Sequence, residues 1–176
     1  METKIDNPDE DGIGEILQKG SNLMLGYYKN EEATKNAIKD GWLHTGDLGY
    51  VDNDGFVVVT GRKKNVIVLK NGKNVYPEEL EPTLTLNKYI KDCIVFEKRT
   101  EKGITTDIEI GISIVPDNEI IERDFGQIEK EEILNILKKE VKDFNETLPD
   151  YKVITHVEIR EKEFEKTTSM KIKRYA

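Results

Sequence analysis

Two tight-turn sequences, each set between apolar runs, constrain the fold of this chain more than any other feature. The first turn is Asp52-Asn53-Asp54-Gly55, and the second is Lys70-Asn71-Gly72-Lys73. Each predicts a β-hairpin, because Asn, Asp and Gly tolerate the backbone angles that tight turns require. Pro77 follows the second hairpin, and its missing N–H is tolerated at the first position of a helix. The segment from Gly41 to Glu81 therefore predicts strands, turns and a helix start in close succession.

The remainder of the chain alternates strand and helix patterns. Residues 92–97 and 107–115 are rich in Ile and Val and predict two strands. Between Glu129 and Leu148, apolar residues recur every three or four positions, which is typical of one helix face. Residues 153–159 predict a last strand, and we interpret residues 116–128 as a polar connection. This order predicts an α+β fold.

The first 64 residues have a different character. Residues 1–12 are polar, and we interpret them as a poorly packed lead-in. Short strand patterns follow, and Asn30 with the acidic residues behind it predicts a short helix that closes at Gly41. No long amphipathic pattern occurs in this part. We therefore predict two parts, residues 1–64 and residues 65–176.

Composition narrows the function classes. Lys and Arg number 27 against 35 Asp and Glu, and the net charge of −8 disfavours nucleic acid or an anionic membrane as the main partner. No apolar run approaches the roughly 18 residues of a membrane-spanning helix. The single cysteine, Cys93, excludes an intramolecular disulfide. We expect a cytoplasmic protein, with peripheral association with a membrane left open. His44 and His156 are isolated, so no metal site is predicted.

Two side chains around the first hairpin suit nucleotide chemistry. Asp47 lies in the turn Thr45-Gly46-Asp47, and a carboxylate can accept two hydroxyl donors, as from the vicinal diol of a ribose. Arg62 follows the hairpin and carries a planar fork suited to phosphate or sugar oxygens. Each has an ordinary alternative, namely a turn Asp that bonds to its own backbone and a surface Arg in an ion pair. The residues alone leave both interpretations open.

Four segments in order along the chain resemble the AMP-forming acyl-CoA synthetases, a branch of the adenylate-forming enzymes. They are Gly14-Glu15-Ile16 through Tyr28, His44-Thr45-Gly46-Asp47-Leu48, Gly61 through Glu81, and Lys166 through Arg174. The forms of the last two are most similar to the long-chain fatty acyl branch. The resemblance implies that residues 65–176 are a small mobile C-terminal domain, made of a β-hairpin, a helix, a short sheet and a long amphipathic helix. Residues 1–64 would be the β-rich closing segment of a large AMP-binding domain.

The resemblance also implies roles for individual residues. Lys171 matches the catalytic lysine of adenylation, and Asp47 and Arg62 match nucleotide-binding residues. Lys64 matches the hinge about which the C-terminal domain rotates. Gly72 matches the loop that lines the coenzyme A channel. The Mg²⁺ site of the family would lie outside this chain.

The implied function is that of the C-terminal part of a long-chain fatty acid–CoA ligase. Such an enzyme activates a fatty acid with ATP to acyl-AMP and passes the acyl group to coenzyme A, its small domain rotating between the half-reactions. The partners would be fatty acid, ATP, coenzyme A and the missing N-terminal domain. The sequence lacks the family's phosphate loop, so we expect the isolated chain to be inactive. Two alternatives remain, a stand-alone non-catalytic binding domain and an acyl- or aryl-acid ligase acting on a carrier protein.

The chain departs from the family pattern at three positions. Many relatives have Pro at the position of Glu165 and Gly at that of Met170, so we expect a less kinked lysine turn. Some relatives carry a Lys at the position of Val68, so a phosphate contact is expected to be absent.

Overall fold

The computed structural model describes residues 1–102 and 105–174, and its mixture of helices and sheets confirms the predicted α+β class. Contacts between Cα atoms group the chain into two compact units, the first from Met1 to Val66 and the second from Ile67 onward. Within the described ranges, no helix combines the length and the apolar character needed to cross a membrane.

The first unit is built around one antiparallel sheet. Its strands are β1 (Glu2–Asp6), β2 (Gly14–Lys19), β3 (Ile38–Lys39), β4 (Trp42–Val51) and β5 (Val57–Arg62). The long strand β4 is central, because β2, β3 and β5 all pair with it. The predicted hairpin between β4 and β5 forms, and Asp52 accepts the backbone N–H groups of Asp54 and Phe56 in its turn. A short helix, α1 (Glu31–Ala37), begins at Asn30, whose side chain accepts the N–H of Ala33.

Two predictions for this unit are corrected by the structure. Residues 1–12 are not a poorly packed lead-in, because β1 pairs with β2 from Glu2 opposite Lys19 to Asp6 opposite Glu15. The helix after Asn30 ends before Gly41, because the chain leaves it at Ile38 to form β3 against β4. In both cases pairing with a neighbouring strand overrides the local sequence preference.

The second unit contains a three-stranded sheet and a separate hairpin. Its elements are β6 (Ile67–Val68), β7 (Asn74–Val75), α2 (Pro77–Leu84), β8 (Ile90–Lys102), β9 (Thr105–Pro116), α3 (Asn118–Phe125), α4 (Lys130–Asn145) and β10 (Ile154–Ile159). The hairpin is β6 with β7, as predicted. In the sheet, β8 and β9 are antiparallel, whereas β10 runs parallel to β9 on its other side.

One face of this sheet is covered by helix α4. Leu137 and Val141 on the predicted apolar face of α4 are buried, and they belong to one cluster with Ile112 and Ile114 of β9. Removing such aliphatic side chains from water is the main favourable term in folding. The helical periodicity read from the sequence therefore marks the face that closes the core.

Helix α3 replaces the predicted polar connection. The Asp117 side chain accepts the N–H of Ile120 at the start of the helix, and Gly126 adopts a φ of +79° where it ends. Ile121 is the residue that this helix buries. Since most of its other residues are polar, the segment has the composition of a loop although both of its ends carry ordinary helix signals.

Candidate active site

The pairing of β4 with β5 brings Asp47 and Arg62 together. They are direct Cα partners in the register, and Arg62 Nε lies 2.8 Å from Asp47 Oδ1. About half of the Arg62 side chain and a third of the Asp47 side chain remain exposed. An acceptor and a planar donor therefore stand side by side at the surface, within reach of a ligand that carries hydroxyl groups and anionic oxygens.

The turn before Asp47 is held by two polar side chains. Thr45 Oγ1 donates to the carbonyl of Ile16 at 2.7 Å and accepts the N–H of Asp47 at 3.0 Å. Gly46 adopts a φ of +70°, a left-handed conformation in which most side chains are strained. This turn fixes the direction in which the chain enters Asp47.

A buried carboxylate, Glu15, ties the same turn to the residue after Arg62. Its oxygens accept the N–H of Gly46 at 3.2 Å and the Lys63 ammonium at 2.9 Å, and they contact His44 Nδ1 at 3.2 Å. Burial raises the pKa of Glu15, but the hydrogen bonds from Lys63, His44 and Gly46 outweigh it and leave the pKa below its usual value. Glu15 is therefore a buried anion that orients both sides of the Asp47–Arg62 pair.

Sequence reasoning did not identify Glu15 or Lys63 as part of this arrangement. One signal was available, because Glu15 stands between Gly14 and Ile16 in a segment that packs inward. A charged residue in a buried strand needs a partner. The partners, however, lie 29 to 48 residues further along the chain, beyond the reach of local patterns.

Lys64 and Gly72 lie in the two connections around β6. Lys64 is exposed in the single 3₁₀ turn Lys63–Asn65 that separates β5 from β6. Gly72 lies in the β6–β7 hairpin with a φ of +79°, and an added Cβ would meet no atom within 4 Å. Backbone conformation accounts for this glycine within the chain, so the hinge role of Lys64 and the channel role of Gly72 stay predictions.

Lys171 closes a tight turn in the C-terminal segment. The Thr167 N–H donates to the Lys171 carbonyl at 2.8 Å, and the Met170 N–H donates to the Thr167 carbonyl at 2.9 Å. Lys166 and Ile172 form an antiparallel bridge on either side. Lys171 is exposed, and in the described part of the chain its ammonium has no ion-pair partner. The segment is thus an ordered turn that presents one cation, not a disordered tail.

The expectation of a less kinked lysine turn is wrong. Met170 adopts a φ of +62°, in the left-handed region that glycine enters without strain. The Thr167 side chain supports the same bend, since its Oγ1 accepts the N–H of Lys171 at 3.2 Å and lies 3.0 Å from Ser169 Oγ. The hydrogen bonds of the turn therefore hold this conformation although the residue at its corner carries a side chain.

Ion pairs hold the chain on both sides of this turn. Lys166 Nζ lies 2.7 Å from Asp92 Oδ2 on β8. Arg174 pairs with the Glu81 carboxylate of α2 and donates to the Val95 carbonyl at 3.2 Å. Burial raises the pKa of Glu81 although Arg174 and the N–H of Val95 oppose the change. These contacts connect the two ends of the turn to the core elements α2 and β8.

Metal chemistry finds no cluster here. Across residues 1–102 and 105–174, no group of three or more His, Cys, Asp and Glu side chains is arranged to hold a metal ion.

Comparison with known proteins places these features in a family. Residues 64–176 match the family described as AMP-binding enzyme C-terminal domain. Over 82 residues the chain is 50% identical to the long-chain-fatty-acid–CoA ligase FadD15 of Mycobacterium tuberculosis, which covers 47% of this chain and 14% of that enzyme. It is 35% identical to the 2-succinylbenzoate–CoA ligase of Bacillus cereus over 128 residues, which covers 73% of this chain and 24% of that enzyme. The chain therefore spans a quarter or less of the length of these relatives.

A solved structure of related sequence shares the fold. The o-succinylbenzoate CoA synthetase of Bacillus subtilis, in complex with its acyl-adenylate intermediate, aligns with a TM-score of 0.69 and 28% identity over 97% of this chain and 32% of that one. The same enzyme with ATP and magnesium ion aligns with a TM-score of 0.71 and 27% identity, again over 97% and 32%.

Proposed function

The chain belongs to the family of AMP-binding enzyme C-terminal domains, and from that premise we propose that it is the C-terminal part of a long-chain fatty acid–CoA ligase. The observation that carries the proposal is the turn that presents the unpaired Lys171 ammonium within the described residues. A cation held on such a turn suits a reaction in which negative charge develops on phosphate oxygens in transit. The 50% identity to a long-chain-fatty-acid–CoA ligase supports this substrate class.

In the proposed reaction, the carboxylate of the fatty acid attacks the α-phosphorus of ATP and pyrophosphate leaves. Lys171 stabilises the charge that builds on the oxygens of this transition state. Asp47 accepts the ribose hydroxyls, and Arg62 binds nearby ribose or phosphate oxygens. Magnesium, bound outside this chain, would neutralise phosphate charge. The thiol of coenzyme A then attacks the acyl carbonyl of acyl-AMP, and AMP leaves.

We propose that the first 64 residues complete a larger AMP-binding domain and that residues 65–176 form the mobile lid. The first unit leaves several large apolar side chains exposed, including Leu25, Tyr28, Phe56 and Val59. Clustered exposed apolar groups are typical of a surface that another domain covers. Lys64, in the turn between the two units, is the proposed pivot, and the Gly72 hairpin is proposed to guide the arm of coenzyme A. The buried thiol of Cys93 suits a reducing, cytoplasmic compartment.

A second candidate within the same reaction class is a ligase of aryl acids. It is favoured by the longer match to the 2-succinylbenzoate–CoA ligase of Bacillus cereus, which extends over 73% of the chain. The two candidates share Lys171, Asp47 and Arg62, and they differ in the acid pocket, which would lie in the larger domain.

The proposal is tested with the intact ligase that carries this chain at its C-terminus. ATP–pyrophosphate exchange is measured with hexadecanoate, octanoate, benzoate and 2-succinylbenzoate, and thioester formation is then measured with coenzyme A. We expect exchange to be fastest with hexadecanoate. Preference for an aryl acid would replace the substrate assignment, and exchange by the 176-residue chain alone would overturn the division of labour between the two domains.

A further inference from the structure

The lysine turn is anchored by residues that lie far away in sequence. Glu81 precedes its partner Arg174 by 93 residues, and Asp92 precedes Lys166 by a similar interval. The turn itself contains only short-range hydrogen bonds between residues 165 and 173. Its internal bonds therefore fix its shape, whereas the two ion pairs fix where it lies on the sheet and helix.

The Arg174 anchor is the more deeply buried of the two. Both its side chain and that of Glu81 are 16% exposed, and the Glu81 carboxylate also accepts the N–H of Val95 at 2.7 Å. Removing one partner from such a pair leaves a buried charge without compensation. The side chain of Arg174 also lies 3.7 Å from Glu78 Oε1, so the guanidinium faces two carboxylates of α2.

The Lys166 anchor lies on the opposite side of the turn. The Asp92 side chain is 14% exposed and that of Lys166 is 26% exposed, so water screens this pair only in part. Lys91, its neighbour on β8, forms a different pair with Glu163 that is largely exposed. Adjacent residues of one strand thus provide one sheltered and one exposed contact to the same C-terminal segment.

We propose that Glu81 and Asp92 are positioning residues that hold Lys171 where adenylation requires it. The inference rests on the proposed role of Lys171 and extends it to residues that touch no substrate. A small displacement of a charge-stabilising group has a large effect on rate, of the order of 10²-fold for 1 Å. The two carboxylates act through Arg174 and Lys166, and their contribution belongs to the first half-reaction alone.

The test uses the Glu81→Gln variant of the intact ligase. Glutamine keeps the acceptor for the Val95 N–H but removes the charge opposite Arg174. We expect the kcat of adenylation to fall by about 10-fold to 10²-fold. The transfer of a pre-made acyl-AMP to coenzyme A is expected to keep its rate. Asp92→Asn is the second variant and decides the question if Glu81→Gln does not fold, and Glu163→Gln at the exposed pair is the matched control, expected to be silent.

A double-variant cycle separates positioning from general stability. In a Lys171→Ala background, Glu81→Gln should cause no further loss of adenylation, because no lysine remains to be positioned. An equal loss in both backgrounds, or no loss in either, would overturn the inference. If Lys171→Ala itself leaves adenylation intact, the proposed role of Lys171 fails instead.

Hydrogen exchange gives a readout that does not depend on activity. The amides of Thr167, Lys171 and Lys173 are hydrogen-bonded within the turn. In the Glu81→Gln variant they should exchange about 10-fold faster, while amides of β9 keep their protection. Unchanged exchange in the turn would contradict the anchoring role, and uniform acceleration throughout β9 would assign Glu81 to overall stability.

Discussion

Asp47 and Arg62 lie directly opposite each other on β4 and β5, and a 2.8 Å contact joins Arg62 Nε to Asp47 Oδ1. An exposed pair of this kind contributes little to stability, commonly less than about 1 kcal/mol. A nucleotide can therefore compete for both groups at small cost. The pair keeps the two side chains oriented in the free protein, and the register of the hairpin determines their spacing.

Replacing Asp47 with Ala should weaken nucleotide binding in the intact ligase. Hydrogen bonds to a charged group contribute about 1.5–3 kcal/mol, so the KM for ATP should rise by roughly 10-fold to 10²-fold. Initial rates of pyrophosphate exchange at varied ATP measure it. The control is Asp54→Ala in the exposed turn of the same hairpin. An unchanged KM for ATP in the Asp47 variant would return this residue to a structural role.

Replacing Lys171 with Ala should slow adenylation by about 10²-fold to 10³-fold, the effect of losing one preorganised charge-stabilising donor. The second half-reaction, started from acyl-AMP and coenzyme A, should be nearly unchanged. Lys173→Ala is the matched control, because Lys173 lies in the same segment and forms only an exposed 3.4 Å pair with Glu165. Normal adenylation by the Lys171 variant would disprove its catalytic assignment.

Replacing Lys64 with Pro should separate the two half-reactions. Proline fixes φ near −65°, so the turn between β5 and β6 could not change conformation between the steps. We expect adenylation to persist better than thioester formation. Lys64→Ala retains backbone freedom and should leave both steps close to normal. Equal, mild effects of proline on both steps would place the pivot elsewhere.

Glu15 should make the stability of the first unit depend on acid. Its pKa is lowered in the folded chain, so the stabilisation is present above the unfolded value of 4.5 and is lost as the pH falls through the folded pKa. Glu15→Gln should lower the free energy of unfolding by about 1–3 kcal/mol at pH 7, and its penalty should shrink below pH 4. The fluorescence of Trp42, the single tryptophan, reports on this unit. Glu10→Gln, an exposed position, is the control, and a penalty independent of pH would contradict the ion pairing.

Cys93 should resist thiol reagents while the second unit is folded. Burial, followed by the charges of Glu81 and Asp92, raises the pKa of this thiol to about 12. The thiolate is the reactive form, so labelling at pH 8 should be at least about 10³-fold slower than in the guanidinium-unfolded chain. Rapid labelling of the folded protein would show that β8 opens locally.

Turn and helix signals were enough to predict the elements that depend on local chemistry. The hairpins around Gly55 and Gly72 form where Asn, Asp and Gly concentrate, and α4 forms where apolar residues recur at helical spacing. The predicted α+β class follows from their order. These features depend on neighbours within a few residues, and such information is present in the sequence itself.

Features that depend on distant partners could not be predicted in this way. The polar strand β1 is ordered by its pairing with β2, and Glu15 finds its partners beyond the next two strands. The left-handed Met170 is held by the hydrogen bonds of its turn. Residue identity at these positions is permissive, so the tertiary contact decides the structure.

The 93-residue interval between Glu81 and Arg174 has a consequence for synthesis on the ribosome. Helix α2 and strand β8 emerge long before the segment that pairs with them, and β10 joins the sheet only after α4 has been made. The lysine turn is therefore put in place by the last residues to leave the ribosome. A nascent chain or a product of premature termination could contain most of the fold and still lack a positioned Lys171, so adenylation would begin only when translation is complete.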